Sequence, residues 1–218
     1  MRSRAEQVTA TRTAILDAAE SLFAQHGTSA VTNRQIVELA HQRNNAAVAY
    51  HFGGRTDLIQ AIVHRHQGAI ETVRDDAVAA ISGSTDARDW MDALVRPLAI
   101  HLDTLPHPTW YARFSSQLVN DPAHRTIIVR EALDAPSLHQ VMAGLDRCRP
   151  ALTDQVAARR KQMCSQLMIL GYAEREQQAA GEPGSSAEWL TFARELTDAL
   201  TGLWLAPSSA AERDGARA

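Results

Sequence analysis

The chain has 218 residues, 45% of them hydrophobic, and a formal net charge of −3. That is enough apolar material for a core in one or two compact units. No apolar run reaches the roughly 18 residues of a membrane helix, and the opening MRSRAEQVTATR is charged with no apolar stretch behind it, so a span and a secretory leader are both unexpected. The chain is expected in the cytoplasm. Its charge is unevenly placed: residues 1–66 carry +2 and five of the nine His, whereas residues 67–218 carry −5. A mildly basic head on an acidic body is the charge layout of a nucleic-acid-binding head with a separate body.

Apolar residues recur at steps of three and four almost throughout, with no sustained alternation, so the chain reads as all-α. The first helix is predicted over about 8–26, with Ile15, Ala18, Ala19, Leu22 and Phe23 as its stripe and Gly27 as C-cap. Thr32 and Gln35 have capping-box spacing and open a second, short helix whose inner face is Ile36, Leu39 and Ala40. HQRN breaks the pattern. Asn44 can cap a third short helix running to Phe52, with Val48 and Phe52 facing inward, and Gly53-Gly54 end it. A long fourth helix follows, carrying Leu58, Ile59, Ile62, Val63, Ile70 and Val73.

ISGSTDARD, near 81–89, reads as a loop and a domain boundary. Further helices are predicted over about 87–104, 107–119, 122–134, 136–149 and 152–179. After AAGEPGSS comes a last helix, 186–205, opened by a Ser185–Glu188 capping box and stopped by Pro207. The predicted division is a helix-turn-helix domain at 1–54, a connecting helix at 55–80, a helical body at 81–207 and a disordered tail at 208–218.

Two helices of about eight residues around a four-residue polar break match the helix-turn-helix in length. Each is too short to stand alone and needs the first and fourth helices as support. The outward face of the second short helix would carry Asn45, Ala46, Ala49 and Tyr50. Asn can read adenine and Ala can touch a thymine methyl. Tyr50 and His51 can donate to phosphates, which fixes register rather than sequence. Thr32, Asn33, Arg34, Arg43, Asn44 and Arg55 are placed to flank the groove.

The stretch AILDAAESLFAQHGTSAVTNRQIVELAHQRNNAAVAYHFGGRTDLIQAIV resembles the N-terminal domain of the TetR family of repressors. It shares the ILDAA-x-x-LF-x-x-x-G helix, the Thr-capped helix and a recognition helix ending in YHF before a basic residue. It is most similar to members reading RNN-A-V-x-YHFG. The resemblance covers about 45 residues, and the family pattern differs at two places. Here Ala40 is followed by HQRN, one residue longer than the usual A-G-V-S turn, with His41 where Gly is usual. Ala49 stands where a phosphate-contacting Tyr is common. The resemblance implies a homodimeric DNA-binding regulator. It implies three DNA-binding helices, a connecting fourth, and a helical body that binds a ligand and dimerises through its last two helices.

For the body, the apolar faces of the last two long helices point to an interface. The candidate residues are Met163 and Leu167 on one helix and Trp189, Phe192, Leu196, Leu200, Leu203 and Trp204 on the other. His101, Trp110, Phe114, Gln117, Met142 and Met163 are candidates for a small-molecule pocket, with a small apolar or amphipathic ligand. His64 and His66 are two apart on a helix and diverge, and His26, His41 and His51 have no Cys nearby, so no metal is expected. Cys148 and Cys164 read as buried thiols. No phosphate loop, nucleophile motif or paired carboxylates appear, so neither a cofactor nor an enzymatic activity is expected.

Overall fold

The computed structural model describes residues 3–42, 44, 46–180 and 188–208. All regular structure among them is helical: α1 Arg4–His26, α2 Asn33–Leu39, α3 Ala47–Phe52, α4 Arg55–Ala80, α5 Ala87–Thr104, α6 Tyr111–Asn120, α7 Arg125–Leu133, α8 Pro136–Arg147, α9 Asp154–Ala180 and α10 Trp189–Leu205.

Helix α1 begins a turn earlier than its apolar stripe. Ser3 accepts from the Glu6 amide at 3.2 Å, and Glu6 accepts in return from the Ser3 amide at 2.6 Å. This capping box holds a first turn that buries nothing. The head closes around Ile15, Ala19, Phe23, Ile36, Val48, Leu58, Ile59 and Ile62, all fully buried. Helices α2 and α3 are seven and six residues long, so it is this shared core that keeps them helical.

In the body, α5 runs through the centre, with α4, α8 and α10 packed on it and α9 lying beside α6 and α10. Several helix ends are capped across the fold rather than locally. Glu176 of α9 accepts from the amides of Ala112 and Arg113 at 3.2 and 2.8 Å, satisfying the start of α6. Glu71 of α4 does the same for α8 through the Ser137 amide at 2.8 Å. The predicted 107–119 helix therefore starts at Tyr111, where the buried Glu176 waits.

The predicted helix at 122–134 starts at Arg125. Asp121 takes the Ala123 amide on its side chain at 2.9 Å and the Arg125 amide on its carbonyl at 2.8 Å, so a turn precedes the helix. The last helix starts at Trp189 with Glu188 itself as N-cap in a left-handed conformation, φ 46°. Ser185 of the predicted capping box lies outside the described residues, as does the tail beyond Ser208.

Candidate nucleic-acid interface and head–body cleft

Thr32 opens α2 as predicted: its hydroxyl accepts from the Gln35 amide at 3.3 Å, and Gln35 Oε1 accepts from the Thr32 amide at 2.8 Å. Thr32, Asn33 and Arg34 are exposed there, and Arg34 is paired with Glu38 at 2.7 Å. The turn that follows is where the chain departs from the family pattern. His41 adopts φ 53°, in the left-handed region that glycine enters freely. His41 therefore holds a backbone conformation that L side chains seldom adopt.

Asn44 is exposed, but its side chain is committed: Oδ1 accepts from the Ala46 amide at 2.9 Å. It caps the turn, and α3 begins three residues later, at Ala47. Arg43 and Asn45 lie outside the described residues. On α3, Val48 is fully buried, while Ala46, Ala49 and Tyr50 are exposed. Tyr50, at 76% exposure, is the most exposed large apolar side chain among the described residues. His51 is half-buried and meets the Tyr50 ring edge-on at 4.9 Å.

Two arginines fasten this unit. Arg12 of α1 donates to the His51 carbonyl, and its guanidinium lies 4.3 Å over the Phe52 ring. Arg55 donates to the Thr28 carbonyl and lies 4.8 Å over Phe23. This corrects the expectation for Arg55: its guanidinium is drawn inward onto an aromatic face instead of being held free beside the groove. Arg12 was not identified from the sequence, because a lone Arg in a polar first half of a helix carries no signal of its partner.

A cleft of about 600 Å³ separates the head from the body. Its walls come from α1, α2, α4, the end of α5 and the 105–110 segment. Of the predicted ligand residues, His101 and Trp110 line it. Phe114 is instead fully buried, 6.1 Å from Phe23, and Gln117 is exposed, facing Gly27. Met142 packs half-buried against the core, and Met163 is 49% exposed on α9.

Behind the cleft runs a buried polar chain that the sequence did not announce. Glu20 of α1 meets His66 Nε2 of α4 at 2.8 Å, and His66 Nδ1 meets His101 Nε2 of α5 at 2.7 Å. All three are at most 7% exposed. His66 also stacks on Tyr111 with ring centres 3.9 Å apart. Arg65 donates to Glu20 and, at 2.6 Å, to Asp17. Burial alone would raise the Glu20 carboxyl, but the hydrogen bond from His66, with the Arg65 guanidinium, holds it below its usual range. Burial first, and the neighbouring His66 second, push His101 down to about 4. The available sequence signal was Glu20 itself, a carboxylate inside the apolar stripe of α1.

The predicted interface residues divide sharply. Trp189, Leu200 and Trp204 are at most 1% exposed within this chain, where α10 packs against α5 and α9. They are core, which corrects their assignment to a surface between subunits. Phe192, Leu196 and Leu203 are half-buried. Leu167 is 48% exposed, and with Met163 at 49% and Leu170 at 52% it forms a stripe at four- and three-residue steps along α9. Cys164 is buried, and burial pushes its thiol up to about 11. Cys148 is half-buried rather than buried, and both thiols are free.

Residues 15–62 match the family described as "Bacterial regulatory proteins, tetR family". The HTH-type transcriptional regulator BetI of Rhizobium meliloti (strain 1021) is 30% identical over 122 residues, which is 54% of this chain and 57% of that relative. The chain therefore matches little more than half the length of this curated relative. In structure it is similar to the TetR family transcriptional regulator PfmR from Thermus thermophilus, with a TM-score of 0.54 at 14% identity over 96% of this chain and 99% of that one. At that identity the likeness is one of fold, and it extends over head and body together. The matched segment runs from the buried Ile15 of α1 to the buried Ile62 of α4 and contains the whole of α2 and α3, so the likeness to the tetR family of bacterial regulatory proteins covers the helical core of the head.

Proposed function

We propose that the chain is a cytoplasmic DNA-binding transcriptional regulator, a repressor that leaves its operator when a small molecule binds, acting as a homodimer on a near-palindromic site. The observation that carries this reading is the tetR-family match over 15–62 together with the outward face of α3. Ala46, Ala49 and Tyr50 stand exposed on a short helix held from behind by Val48. Such a helix fits the major groove, with Tyr50 on a phosphate and the small Ala side chains allowing close approach. The remaining groove contacts are assigned to Thr32, Asn33, Arg34, Arg43, Asn45 and His51. The stretch RNNAAVAYHFG at 43–53 supports assigning the chain to members whose recognition helix reads RNN-A-V-x-YHFG. Residues 1–54 form the head, α4 the connection and 81–207 the effector and dimer body.

The stripe of Met163, Leu167 and Leu170 supports pairing of α9 with its counterpart in a second copy, with the half-buried Phe192, Leu196 and Leu203 of α10 at its side. Pairing also has a mechanical purpose: two heads about 34 Å apart read successive turns of the groove. Ligand release requires only that the small molecule prefer the body conformation in which the heads no longer match that spacing.

Titration of the protein onto the DNA upstream of its own gene, at several salt concentrations, tests the reading. A protected near-palindrome, bound more tightly than random DNA, is the expected result. Affinity equal to that for random DNA would overturn it. Leu167→Arg should give a monomer by sedimentation, with an unchanged helical spectrum and lost operator binding.

A further inference from the structure

We infer that the cleft between head and body is itself an effector site, and that it receives an uncharged, ring-sized amphipathic molecule whose hydroxyl donates to His101. The site rests on the geometry of the cleft. Only its consequence for DNA rests on the function proposed above.

The size suits such a molecule: about 600 Å³ is the volume of an ordinary small-ligand pocket. So does the lining. Leu39 from the head and Leu105, Pro106 and Trp110 from the body all line it, so both units contribute apolar wall. The charges in the wall already satisfy one another, since Arg65 holds both Asp17 and Glu20. An ionic ligand would have to break those pairs or go unmatched, at a desolvation cost that a neutral one avoids.

The polar end of the site is His101. Its Nε2 is committed to His66, and its Nδ1 has no hydrogen-bond partner among the described residues. The direction of the chain sets the chemistry offered. Glu20 accepts from Arg65 and from His66 Nε2–H. With one proton on each ring, His66 Nδ1 is then an acceptor, and His101 Nε2–H donates to it. That leaves His101 Nδ1 as a bare acceptor on a residue that lines the cleft. A hydroxyl donor fits it, and an ether of the same shape does not.

The site also spans the joint whose angle the regulator must change. A molecule seated there touches α1 and α2 of the head and the end of α5 of the body at once. It hydrogen-bonds to the far end of a chain that terminates on Glu20 of α1. Its binding energy is therefore sensitive to the head–body angle, which is the differential affinity that coupling requires.

The test uses 2-naphthol and 2-methoxynaphthalene as probes, two molecules of nearly equal shape of which only the first can donate. Binding to the full-length protein is measured by calorimetry, with the helical spectrum checked for each variant. The wild type should bind 2-naphthol roughly tenfold more tightly, the range of one hydrogen bond. His101→Phe should erase that preference, and Leu39→Ala, at a half-exposed position of the head wall, should weaken both probes several-fold. Equal affinity for the two probes, no saturable binding up to their solubility limit, or binding indifferent to both substitutions would overturn the assignment. Should His101→Phe fail to fold, the probe pair and Leu39→Ala decide. The two readings fail separately. A protein that binds 2-naphthol as described but no operator refutes the regulator and keeps the site, and one that binds its operator but neither probe does the reverse.

Discussion

The guanidinium of Arg12, on α1, lies 4.3 Å over the ring of Phe52, the last residue of α3, and donates to the carbonyl one residue before it. A six-residue helix cannot hold its own orientation, and this contact fixes its C-terminal end to a long neighbour. Arg12→Ala should cost about 1–2 kcal/mol of stability in urea denaturation, from a lost cation–π contact and a lost charged hydrogen bond. Operator affinity should fall with it. Arg12→Lys should restore little, because an ammonium cannot stack and donate in the same geometry. An unchanged denaturation midpoint for Arg12→Ala would show that the contact does not hold the helix.

Tyr50 poses the opposite case. It is 76% exposed, and its ring meets that of His51 edge-on. Tyr50→Ala should leave stability within about 0.5 kcal/mol. It should weaken DNA binding by about 1 kcal/mol on every operator variant alike, as loss of a phosphate contact does. Binding measured on a panel of single-base operator changes checks this. A loss confined to one base pair would make Tyr50 a base reader.

Within the body, Gly144 of α8 admits no side chain. A Cβ there would sit 2.1 Å from Cδ2 of Trp90, which is buried and anchored through Nε1 to the Ser84 carbonyl at 2.9 Å. The indole cannot swing aside without losing that bond. Gly144→Ala should therefore destabilise by about 1–3 kcal/mol or more, despite the better helix propensity of Ala. Thermal unfolding followed by circular dichroism measures it, and an unchanged or raised Tm would contradict the packing.

His101 gives the fold a pH dependence. Its folded value is depressed to about 4 from an ordinary 6.5, by burial first and by His66 second. Between those values the unfolded chain binds more protons than the native one, so stability rises with pH across this window and is lost as pH falls from 6.5 towards 4. Unfolding free energies measured from pH 7 to 4 should decline, and His101→Phe should flatten the decline over that window. Above pH 7 wild type and variant should run parallel. A decline of equal slope in the two proteins would place the titration elsewhere.

The sequence by itself determined the helical class, most helix boundaries and the exposure of Ala46, Ala49 and Tyr50 on the outward side of α3. These are local properties. The capping box at Thr32 and Gln35, the glycine exit after Phe52 and the apolar periodicity of α4 and α5 are all written within a few residues of where they act. The left-handed turn at His41 was not legible in the sequence, since a His by itself does not dictate a positive φ.

Only the tertiary structure decided which faces meet. An amphipathic stripe states that a helix has a partner without stating which one. The stripe of α10 looks as suited to a second copy as to its own chain, yet Trp189 and Trp204 are buried within the chain, Trp189 6.1 Å from the Tyr172 ring of α9, and an exposed apolar stripe lies on α9. The same holds for polar contacts between distant residues. Glu20, His66 and His101 lie on three helices, and Arg12 and Arg55 reach partners 39 and 27 residues away. Such pairs form when the packing of helices brings them within a few ångströms, a condition that no local spacing encodes.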